Sequence, residues 1–207
     1  MLTLYDTLSS GNGHKVRLML RFLGQPFRRV EVDTFAGESR TPEFLALNPA
    51  GKIPTLVWPD GRCLPESGAI LLHLAEGSDW LPADAWDRAQ VYRWLFWEQY
   101  SHEPTVAVAR SAVRYKRPYG ADRLAALRAD GAAALTLMDQ HLADRPWLVG
   151  DRPTVADVAL YPYTAVAEEG EIALAGLPNL NAWLDRFAAL PGFVPITHDT
   201  DWAAAVA

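Results

Sequence analysis

The spacing of hydrophobic positions divides the chain into two parts with different periods. Near the N-terminus, short apolar runs between turn residues predict strands, the first at residues 2–5 and the second at residues 27–32. An apolar run that ends at Gly24 predicts a helix between them. A short helix that begins with a proline, a hairpin with its turn at Asp60 and Gly61, and a closing helix over residues 67–76 complete the order βαβαββα.

The second part of the chain has a helical period throughout. Its apolar positions predict four helices, at residues 86–116, 122–142, 155–168 and 180–190. Pro104 interrupts the first, and Pro162 should kink or shorten the third. The pattern therefore predicts an α/β fold plus an all-α fold, with an α/β domain at residues 1–77, a linker at 78–85 and an all-helical domain at 86–207.

Composition and charge narrow the classes of function. The chain has 207 residues, of which 50% are hydrophobic and 21% charged, as in ordinary folded globular proteins. Its formal net charge of -6 argues against a surface for nucleic acid, because such a surface must neutralise several phosphates. No stretch approaches the roughly 18 apolar residues that are needed to span a bilayer. We therefore expect neither a nucleic-acid partner nor a membrane partner.

Cys63 is the only cysteine in the sequence. The chain by itself therefore forms no disulfide, no Cys-x-x-Cys redox pair and no multi-cysteine zinc site. His102 and Glu103 do not make a helical zinc motif, since Pro104 follows them and the second histidine of that motif is missing. We expect no metal, and a reducing compartment, the cytoplasm.

Residues 48–56, Asn-Pro-Ala-Gly-Lys-Ile-Pro-Thr-Leu, place Pro54 at the start of a predicted strand. A missing N–H costs least at this position, and a bond that precedes proline can be cis. A cis bond would leave the backbone of Ile53 free to pair with an extended peptide, as in strand addition at a sheet edge. The alternative is an ordinary turn before a strand, since only about 5–6% of X-Pro bonds are cis.

Glu66 and Ser67 stand at the predicted start of the helix that closes the α/β domain. The unpaired N–H groups of a helix start favour an anion, so the carboxylate of a ligand fits there. The side chain of Glu66 can accept the ammonium group of the same ligand, and the pair together suits the end of an amino acid. Alternatively, the two residues are simply favourable at a helix start.

Three segments, in this order and spacing, resemble the glutathione transferase family. They are Lys15-Val16-Arg17-Leu18, Asn48-Pro49-Ala50-Gly51-Lys52-Ile53-Pro54 and Glu66-Ser67-Gly68-Ala69-Ile70. The resemblance covers essentially the whole chain and implies a thioredoxin-like N-terminal domain followed by a C-terminal helical bundle. Thr154-Val155-Ala156-Asp157 is similar to the internal capping box of that bundle, whose role is in folding rather than in catalysis.

The resemblance implies glutathione as a co-substrate and suggests which residues hold it. The backbone of Ile53, beside Pro54, would pair with the cysteinyl unit of the tripeptide. Glu66 and Ser67 would hold the γ-glutamyl end, and Lys52 would approach a carboxylate. For Lys52, an ordinary solvated loop lysine is an equally good interpretation.

Catalysis in this family needs the thiol of glutathione as a thiolate, yet a free thiol with a pKa of about 8.5 is mostly protonated at neutral pH. One donated hydrogen bond, added to the N-terminus of the first helix, stabilises the anion. Ser9, Ser10 and Asn12 lie in the appropriate loop. The loop resembles that of bacterial members with a Ser or Thr and an Asn two residues later, so Ser10 is the first candidate and Asn12 the second.

Two alternatives to a thiolate donor in this loop remain open. Some classes of the family use a tyrosine early in the first strand, so Tyr5 competes with Ser10 and Asn12. The loop residues are also typical of a turn that only caps the helix.

The first helix after the linker supplies candidates for the wall of a second substrate site. Several of its polar and aromatic residues are spaced so that they share a face. These candidates are Tyr100, His102, Glu103, Arg110, Arg114 and Tyr115. Trp94, Phe96 and Trp97 are more typical of packing than of a ligand platform.

The resemblance implies an enzyme that activates glutathione for attack on a small electrophile. A glutathione-dependent reductase of disulfides or hydroperoxides would use the same site and is a close alternative. A non-catalytic interaction module of the same fold is the third, although Lys52, Glu66 and Ser67 argue against it because a pure scaffold has no need of a tripeptide site. Family members commonly form homodimers, so we also expect a homodimer.

Overall fold

The computed structural model describes residues 1–203, which form two compact units. One unit consists of Met1–Glu76 together with the segment that begins at Leu190, and the other is Gly77–Ala189. Residues 204–207, the end of the predicted helical domain, lie outside the described residues. None of the helices in the described part is long and apolar enough to cross a membrane.

The described α/β unit contains a four-stranded mixed sheet and three α-helices. Its elements are β1 (Leu2–Asp6), α1 (Gly11–Phe22), β2 (Phe27–Glu31), α2 (Pro42–Leu47), β3 (Thr55–Val57), β4 (Cys63–Pro65) and α3 (Ser67–Ala75). The strand order is β2-β1-β3-β4, with β1 parallel to β2 and β3 antiparallel to both of its neighbours. The predicted order βαβαββα is confirmed.

Alternation along β1 builds the core of this unit. Leu4 is fully buried and aligns with Leu56 of β3, which is also fully buried. Around this pair packs a cluster of buried apolar side chains, namely Val16, Leu20, Phe27, Ile70, Val194 and Trp202. Val194 and Trp202 come from the C-terminal segment. The sequence pattern assigned residues 190–203 to the helical domain, whereas in the structure they complete the core of the α/β unit.

The second unit is helical, as predicted. Its helices are α4 (Ala85–Trp97), a π-helical segment (Glu98–Ala107), α5 (Val108–Arg114), α6 (Ala121–His141), α7 (Val155–Thr164) and α8 (Pro178–Ala188). Pro104 lies inside the π-helical segment, where the change of hydrogen-bonding pattern accommodates a residue that lacks an N–H. Pro162 lies inside α7, which ends soon after it and is followed by a short 3-10 turn at Ala167–Gly170.

The capping box that was predicted at the start of α7 is confirmed. Asp157 accepts hydrogen bonds from Thr154 N at 2.8 Å and from Leu148 N at 3.0 Å, and Thr154 Oγ1 caps the helix. Trp183 of α8 donates its indole N–H to the same carboxylate at 2.9 Å. Burial raises the pKa of Asp157 and these donors oppose the rise. One buried carboxylate therefore links the start of α7 to α8 and to the loop before it.

Candidate functional site

The loop between β1 and α1 places Ser10 at the start of the helix. Ser10 is the N-cap of α1, and its Oγ accepts a hydrogen bond from Gly13 N at 3.2 Å. The Ser10 backbone N–H donates to Thr7 O at 2.8 Å. Since a hydroxyl both accepts and donates, Ser10 can cap the helix and still donate its proton to an anion.

Gly13 allows the first turn of α1 to lie against the end of β1. A Cβ atom at Gly13 would be only 2.9 Å from Asp6 Cβ, so a larger residue would push the helix away from the strand. The close approach keeps the Ser10 loop short and compact. Nothing in the hydrophobic pattern predicts this approach, because a glycine in this loop is also typical of a simple turn.

Ser67 and Asn12 join the starts of two helices. Ser67 is the first residue of α3, only 6% exposed, and its Oγ donates to Asn12 Oδ1 at 3.3 Å. Asn12 lies in the first turn of α1. The N-termini of α1 and α3, each with backbone N–H groups that attract negative charge, therefore meet at one place. The structure thus brings together residues from two of the segments that the sequence singled out.

Glu66 precedes α3 in a backbone conformation that is rare for a residue with a side chain. Its φ is 68° and its ψ is 110°, and its side chain is exposed. Such a conformation costs about 1–3 kcal/mol and is concentrated at functional sites. Within the described residues its carboxylate makes no capping hydrogen bond to α3. The strained turn thus holds an exposed carboxylate beside a helix N-terminus.

The bond between Ile53 and Pro54 is cis, as the peptide-binding interpretation of this segment requires. Asn48 orders the loop that leads to it. Its side-chain amide donates to Lys52 O at 2.8 Å, and its Oδ1 accepts from Ala50 N at 3.0 Å. Pro54 is buried, Ile53 is half-buried and the side chain of Lys52 is exposed. The sequence motif contains Asn48, but its hydrogen-bonding role becomes visible only in the structure.

Tyr5, the competing candidate for the thiolate donor, lies within the sheet. It pairs with Val30 on one side and with Thr55 on the other, and its ring packs edge-on against Phe44 at 6.1 Å. It does not lie at the start of α1, where Ser10 and Asn12 are found. Ser10 therefore remains the first candidate and Asn12 the second.

The candidates for a second substrate wall do not share one environment. His102 is fully buried, and its Nε2 lies 2.9 Å from Thr164 Oγ1. Thr164 Oγ1 donates its own proton to Leu160 O at 2.7 Å, so it accepts from His102 and the histidine carries its proton on Nε2. Burial and this bond tie His102 to α7 rather than to an open pocket.

Arg110 is also committed to the interior of the helical unit. It is 3% exposed, and its Nε donates to Glu169 at 2.9 Å. Arg114 Nη1 donates to the same carboxylate at 3.0 Å and lies over the ring of Tyr115, which is half-buried. The two arginines thus hold the turn that follows α7.

Tyr100 and Glu103 are closer to the surface. Tyr100 is 88% exposed, and Glu103 accepts a hydrogen bond from Gln99 at 2.8 Å. Tyr100 lines a cavity of about 380 Å³ between the π-helical segment and α6. Other residues that line this cavity are Trp97, Ser101, Thr105, Asp130, Ala133, Ala134 and Leu137. All six predicted wall residues stay predictions as ligand contacts, although only some of them lie near the surface.

A buried charge pair below the Ser10 loop was missed at the sequence level. Arg17 Nη1 donates to Asp6 Oδ2 at 2.5 Å, and both side chains are fully buried. Burial raises the pKa of Asp6, and the guanidinium of Arg17 opposes that rise. The sequence did contain a signal, since Arg17 interrupts the apolar run of the first predicted helix. The motif Lys15-Val16-Arg17-Leu18 includes this arginine, but no role was assigned to it.

Residues 1–203 contain no group of three or more His, Cys, Asp or Glu side chains that could hold a metal ion. The geometry of the candidate site is instead that of an organic anion site. It combines the N-termini of α1 and α3, the hydroxyls of Ser10 and Ser67 and the carboxylate of Glu66. The cis-proline that precedes β3 lies on the same unit.

Comparison with known proteins gives matches over both units. The profile of the glutathione S-transferase N-terminal domain matches residues 9–76, and that of the C-terminal domain matches residues 101–191. A crystal structure of a glutathione S-transferase from Xanthobacter autotrophicus Py2 is 48% identical, with a TM-score of 0.91 over 95% of this chain and 97% of that one. Ure2p in complex with glutathione is 28% identical, with a TM-score of 0.85 over 92% of this chain and 90% of that one.

Two curated relatives have different descriptions. The disulfide-bond oxidoreductase YfcG of Escherichia coli is 32% identical, and the match covers 87% of each chain. Ure2 of Candida albicans is 31% identical over 91% of this chain and 67% of its own length. The chain thus spans about two thirds of the length of Ure2 from Candida albicans and from Candida glabrata.

Proposed function

Because the chain belongs to the glutathione S-transferase family, we propose that it is a glutathione transferase. It binds glutathione on the α/β unit and uses the thiolate to attack a small electrophile. The observation that carries this proposal is the hydrogen bond from Ser67 to Asn12, which joins the starts of α1 and α3. Structural neighbours of the chain include Ure2p in complex with glutathione, so the fold is known to hold this tripeptide.

The proposed binding mode uses both ends of the tripeptide. On binding, the Ser67 hydroxyl turns from Asn12 Oδ1 and donates its one proton to the carboxylate of the γ-glutamyl residue. The first N–H groups of α3 donate to the same carboxylate, and Glu66 accepts hydrogen bonds from the ammonium group. The backbone of Ile53, at the cis bond, pairs with the cysteinyl unit as an added strand would. Lys52, whose side chain is exposed, approaches the remaining carboxylate.

Thiol ionisation is the proposed catalytic contribution. Ser10 donates its hydroxyl proton to the sulfur, and the N-terminus of α1 adds a favourable field, so that the pKa of the bound thiol falls below about 8.5. The thiolate then forms a C–S bond with the electrophilic carbon, and the leaving group departs with the electron pair of the bond that breaks. Positioning of the two reactants provides the remaining acceleration.

A glutathione-dependent reductase is the second candidate, favoured by the likeness to the disulfide-bond oxidoreductase YfcG. In this reaction the bound thiolate attacks one sulfur of a disulfide and releases the other as a thiolate. The thiolate of a second glutathione then attacks the glutathione sulfur of the mixed disulfide, which breaks the S–S bond, gives glutathione disulfide and releases the other half of the substrate as a thiolate. The loop contains no cysteine, so the sulfur that reacts belongs to glutathione in both candidate reactions.

A non-catalytic module is the third candidate, because one Ure2 relative, that of Saccharomyces cerevisiae, is described as a transcriptional regulator. The strained Glu66 argues against it here. A backbone conformation that costs folding free energy is retained only where something offsets it, and ligand binding would do so.

We further propose that two copies of the chain associate, since homodimers are common in the family. Phe96, Tyr100 and Leu137 expose 74%, 88% and 44% of their surface, and they offer apolar area for such an interface. A cytoplasmic location fits a reaction that consumes reduced glutathione, because the cytosol keeps its glutathione pool reduced.

The decisive experiment is calorimetric titration of the full chain with glutathione and with glutathione disulfide. Wild type is compared with Ser67→Ala and with Ser111→Ala, a control serine within α5 of the helical unit. We expect the affinity for glutathione to fall roughly tenfold or more in Ser67→Ala, as for loss of a hydrogen bond to a charged group. Ser111→Ala should bind as wild type does.

Activity assays on the same samples separate the three candidates. Conjugation of a chlorinated aromatic electrophile supports the transferase, and turnover of a small disulfide without conjugation supports the reductase. If wild type binds neither glutathione nor glutathione disulfide, both enzyme proposals are wrong. The non-catalytic interaction module is then the remaining candidate.

A further inference from the structure

A single buried guanidinium connects the Ser10 loop with the C-terminal segment. Arg17 Nη2 donates to Leu8 O at 2.7 Å and to Ile196 O at 3.0 Å. Leu8 belongs to the loop between β1 and α1, and Ile196 belongs to the segment that begins at Leu190. One nitrogen atom thus fixes a carbonyl group of the loop and a carbonyl group of the segment at the same time.

The same segment contacts the first turns of α1 through His14. His14 is 1% exposed, and its Nε2 lies 2.7 Å from Val194 O. A carbonyl oxygen only accepts, so this nitrogen carries the proton. Since His14 follows Gly13, the donor that Ser10 caps, the segment touches α1 immediately beside its N-cap.

Trp202 anchors the far end of the segment on the core. Its ring is 5% exposed and lies 5.5 Å from the ring of Phe27, and its carbonyl accepts from Phe27 N at 3.1 Å. The guanidinium carbon of Arg17 lies 5.7 Å from the centre of the Trp202 ring. The ring therefore packs on the same arginine that holds the loop.

Charged groups reinforce this anchor. The indole N–H of Trp202 donates to Asp199 Oδ1 at 2.7 Å, and Asp199 Oδ2 pairs with Arg29 at 3.2 Å. Arg29 also lies 3.4 Å from Asp6 Oδ1, the carboxylate that pairs with Arg17. The segment and the loop are therefore linked by one connected set of charges, from the buried Asp6 and Arg17 through the half-buried Arg29 to the exposed Asp199.

We propose that residues 194–202 act as a positioning element for the thiol-activating loop, through Arg17. The inference rests on the proposed function of Ser10. With the segment in place, Arg17 holds Leu8 O and thereby the Ser10 hydroxyl where it donates to the sulfur. When the anchor is lost, the guanidinium loses both the Ile196 carbonyl and the ring that packs on it, and the loop relaxes. Hydrogen bonds weaken steeply with distance and angle, so a small displacement of Ser10 is enough to weaken thiol activation.

The test measures the pKa of the glutathione thiol bound to the full-length protein, from the ultraviolet absorbance of the thiolate across a pH series. Trp202→Ala is compared with wild type and with Thr197→Ala, an exposed position in the same segment. We expect the pKa of the bound thiol to rise by about one unit in Trp202→Ala, which is a tenfold loss of thiolate at a fixed pH below that pKa. Thr197→Ala should match wild type.

Affinity for S-methylglutathione separates positioning from general damage. This ligand lacks the thiol but keeps the groups that Glu66, Ser67 and Ile53 are proposed to hold. Its affinity should change less than about twofold in Trp202→Ala, since the polar and ring contacts of the anchor given above are made with Phe27, Arg17 and Asp199. A parallel loss of S-methylglutathione affinity would show that the segment serves folding alone, and the positioning role would be wrong.

Trp202→Phe provides the readout if Trp202→Ala does not fold. It keeps an aromatic ring on Phe27 and loses the donor to Asp199, so we expect a smaller rise in the thiol pKa with the same S-methylglutathione affinity. A thiol pKa equal to that of wild type in a folded Trp202→Ala protein overturns the inference. A wild-type protein that does not lower the thiol pKa at all overturns the proposed function itself, which is a separate result.

Discussion

Ser10 has two hydrogen-bonding tasks at the start of α1, and they can be separated by substitution. Its Oγ accepts a hydrogen bond from Gly13 N, and its hydroxyl is proposed to donate a hydrogen bond to the thiolate. Replacement by alanine removes both, and the lost N-cap costs about 1 kcal/mol of folding free energy. Replacement by glycine removes the same donor but costs only a few tenths of a kcal/mol. We therefore expect Ser10→Ala and Ser10→Gly to raise the pKa of the bound thiol equally, while only Ser10→Ala lowers the urea midpoint clearly.

Asn12→Ala is the companion variant, measured by the same thiol titration. If it raises the thiol pKa while Ser10→Gly does not, then Asn12 is the donor and the order of the two candidates is reversed. If neither variant shifts it, thiol activation does not arise in this loop.

The backbone of Glu66 provides a second residue-scale prediction. Its φ of 68° strains any residue with a Cβ atom, and glycine relieves that strain. Glu66→Ala and Glu66→Gly both remove the carboxylate, so both should weaken glutathione binding by about tenfold or more. We expect Glu66→Gly to melt at a higher temperature than Glu66→Ala. The reverse order of melting temperatures would show that the backbone at this position is not strained.

At this scale the sequence pointed to candidate residues but not to their contacts. Glu66 and Ser67 were singled out by a helix-start pattern and Asn12 by the resemblance of its loop to bacterial family members, but the bond between Ser67 and Asn12 joins residues far apart in the chain. Arg17 was missed as a functional candidate for the same reason. Its partners Asp6 and Ile196 are contributed by β1 and by the segment after α8, and no local pattern predicts their meeting.

The elements of the helical unit show which features local sequence patterns predict and which they do not. The capping box at Thr154 and Asp157 was predicted from four consecutive residues, because both partners lie within one helical turn. The wall predicted on the long helix relied on a regular α-helical period. The π-helical segment at Glu98–Ala107 changes that period partway along the predicted helix, so spacing counted across it does not fix which residues share a face. His102 and Arg110 accordingly point into packing while Tyr100 is exposed.

Tyr161 gives a prediction about how α7 packs on α8. Its ring stacks on Phe187 at 4.2 Å, and burial raises the pKa of Tyr161 to about 12. In the unfolded chain the same phenol ionises near its usual pKa of about 10. Below that pH both states are protonated and the group contributes nothing to the pH dependence. Between pH 10 and 12 the unfolded state loses its proton first, so the free energy of unfolding falls as pH rises.

The expected loss is about 1.4 kcal/mol for each pH unit within that window, or about 2–3 kcal/mol in total. Urea denaturation of wild type and of Tyr161→Phe between pH 8 and 12 measures it. The phenylalanine variant keeps the stacked ring and should lack this component of the alkaline decline. Identical pH profiles for the two proteins would show that Tyr161 does not resist ionisation in the folded state.

At the scale of the whole molecule, the segment that begins at Leu190 follows the helical unit in sequence but belongs to the α/β unit in space. Hydrophobic patterning counted residues 190–203 with the helices because they follow α8 directly. They belong to the α/β unit because Val194 and Trp202 fill its core, and because Arg17 donates a hydrogen bond to Ile196 O and lies over the Trp202 ring. A core is completed by whichever segment supplies the right side chains, and sequence proximity does not decide which one that is.

The proposed association of two copies is the property that belongs to the molecule as a whole. Phe96, Tyr100 and Leu137 are exposed on the helical unit, and Tyr100 and Leu137 border the cavity of about 380 Å³. We propose that a second copy covers this face, because an apolar patch of this kind on a folded protein marks an interaction surface. Sedimentation equilibrium should then give twice the chain mass of 22.9 kDa.

Leu137→Glu tests whether this face is the interface. Glutamate keeps the helix propensity of α6, so the variant should fold and yet bury an unpaired charge if the two copies meet there. We expect a shift toward monomer by at least about tenfold in the dissociation constant, since an unpaired buried charge costs more than about 1.4 kcal/mol. Gln140→Glu adds the same charge at an exposed position of the same helix and should leave the dimer intact. A Leu137→Glu protein that remains as dimeric as Gln140→Glu would place the contact elsewhere. A charge buried at the centre of the interface would have to weaken the dimer.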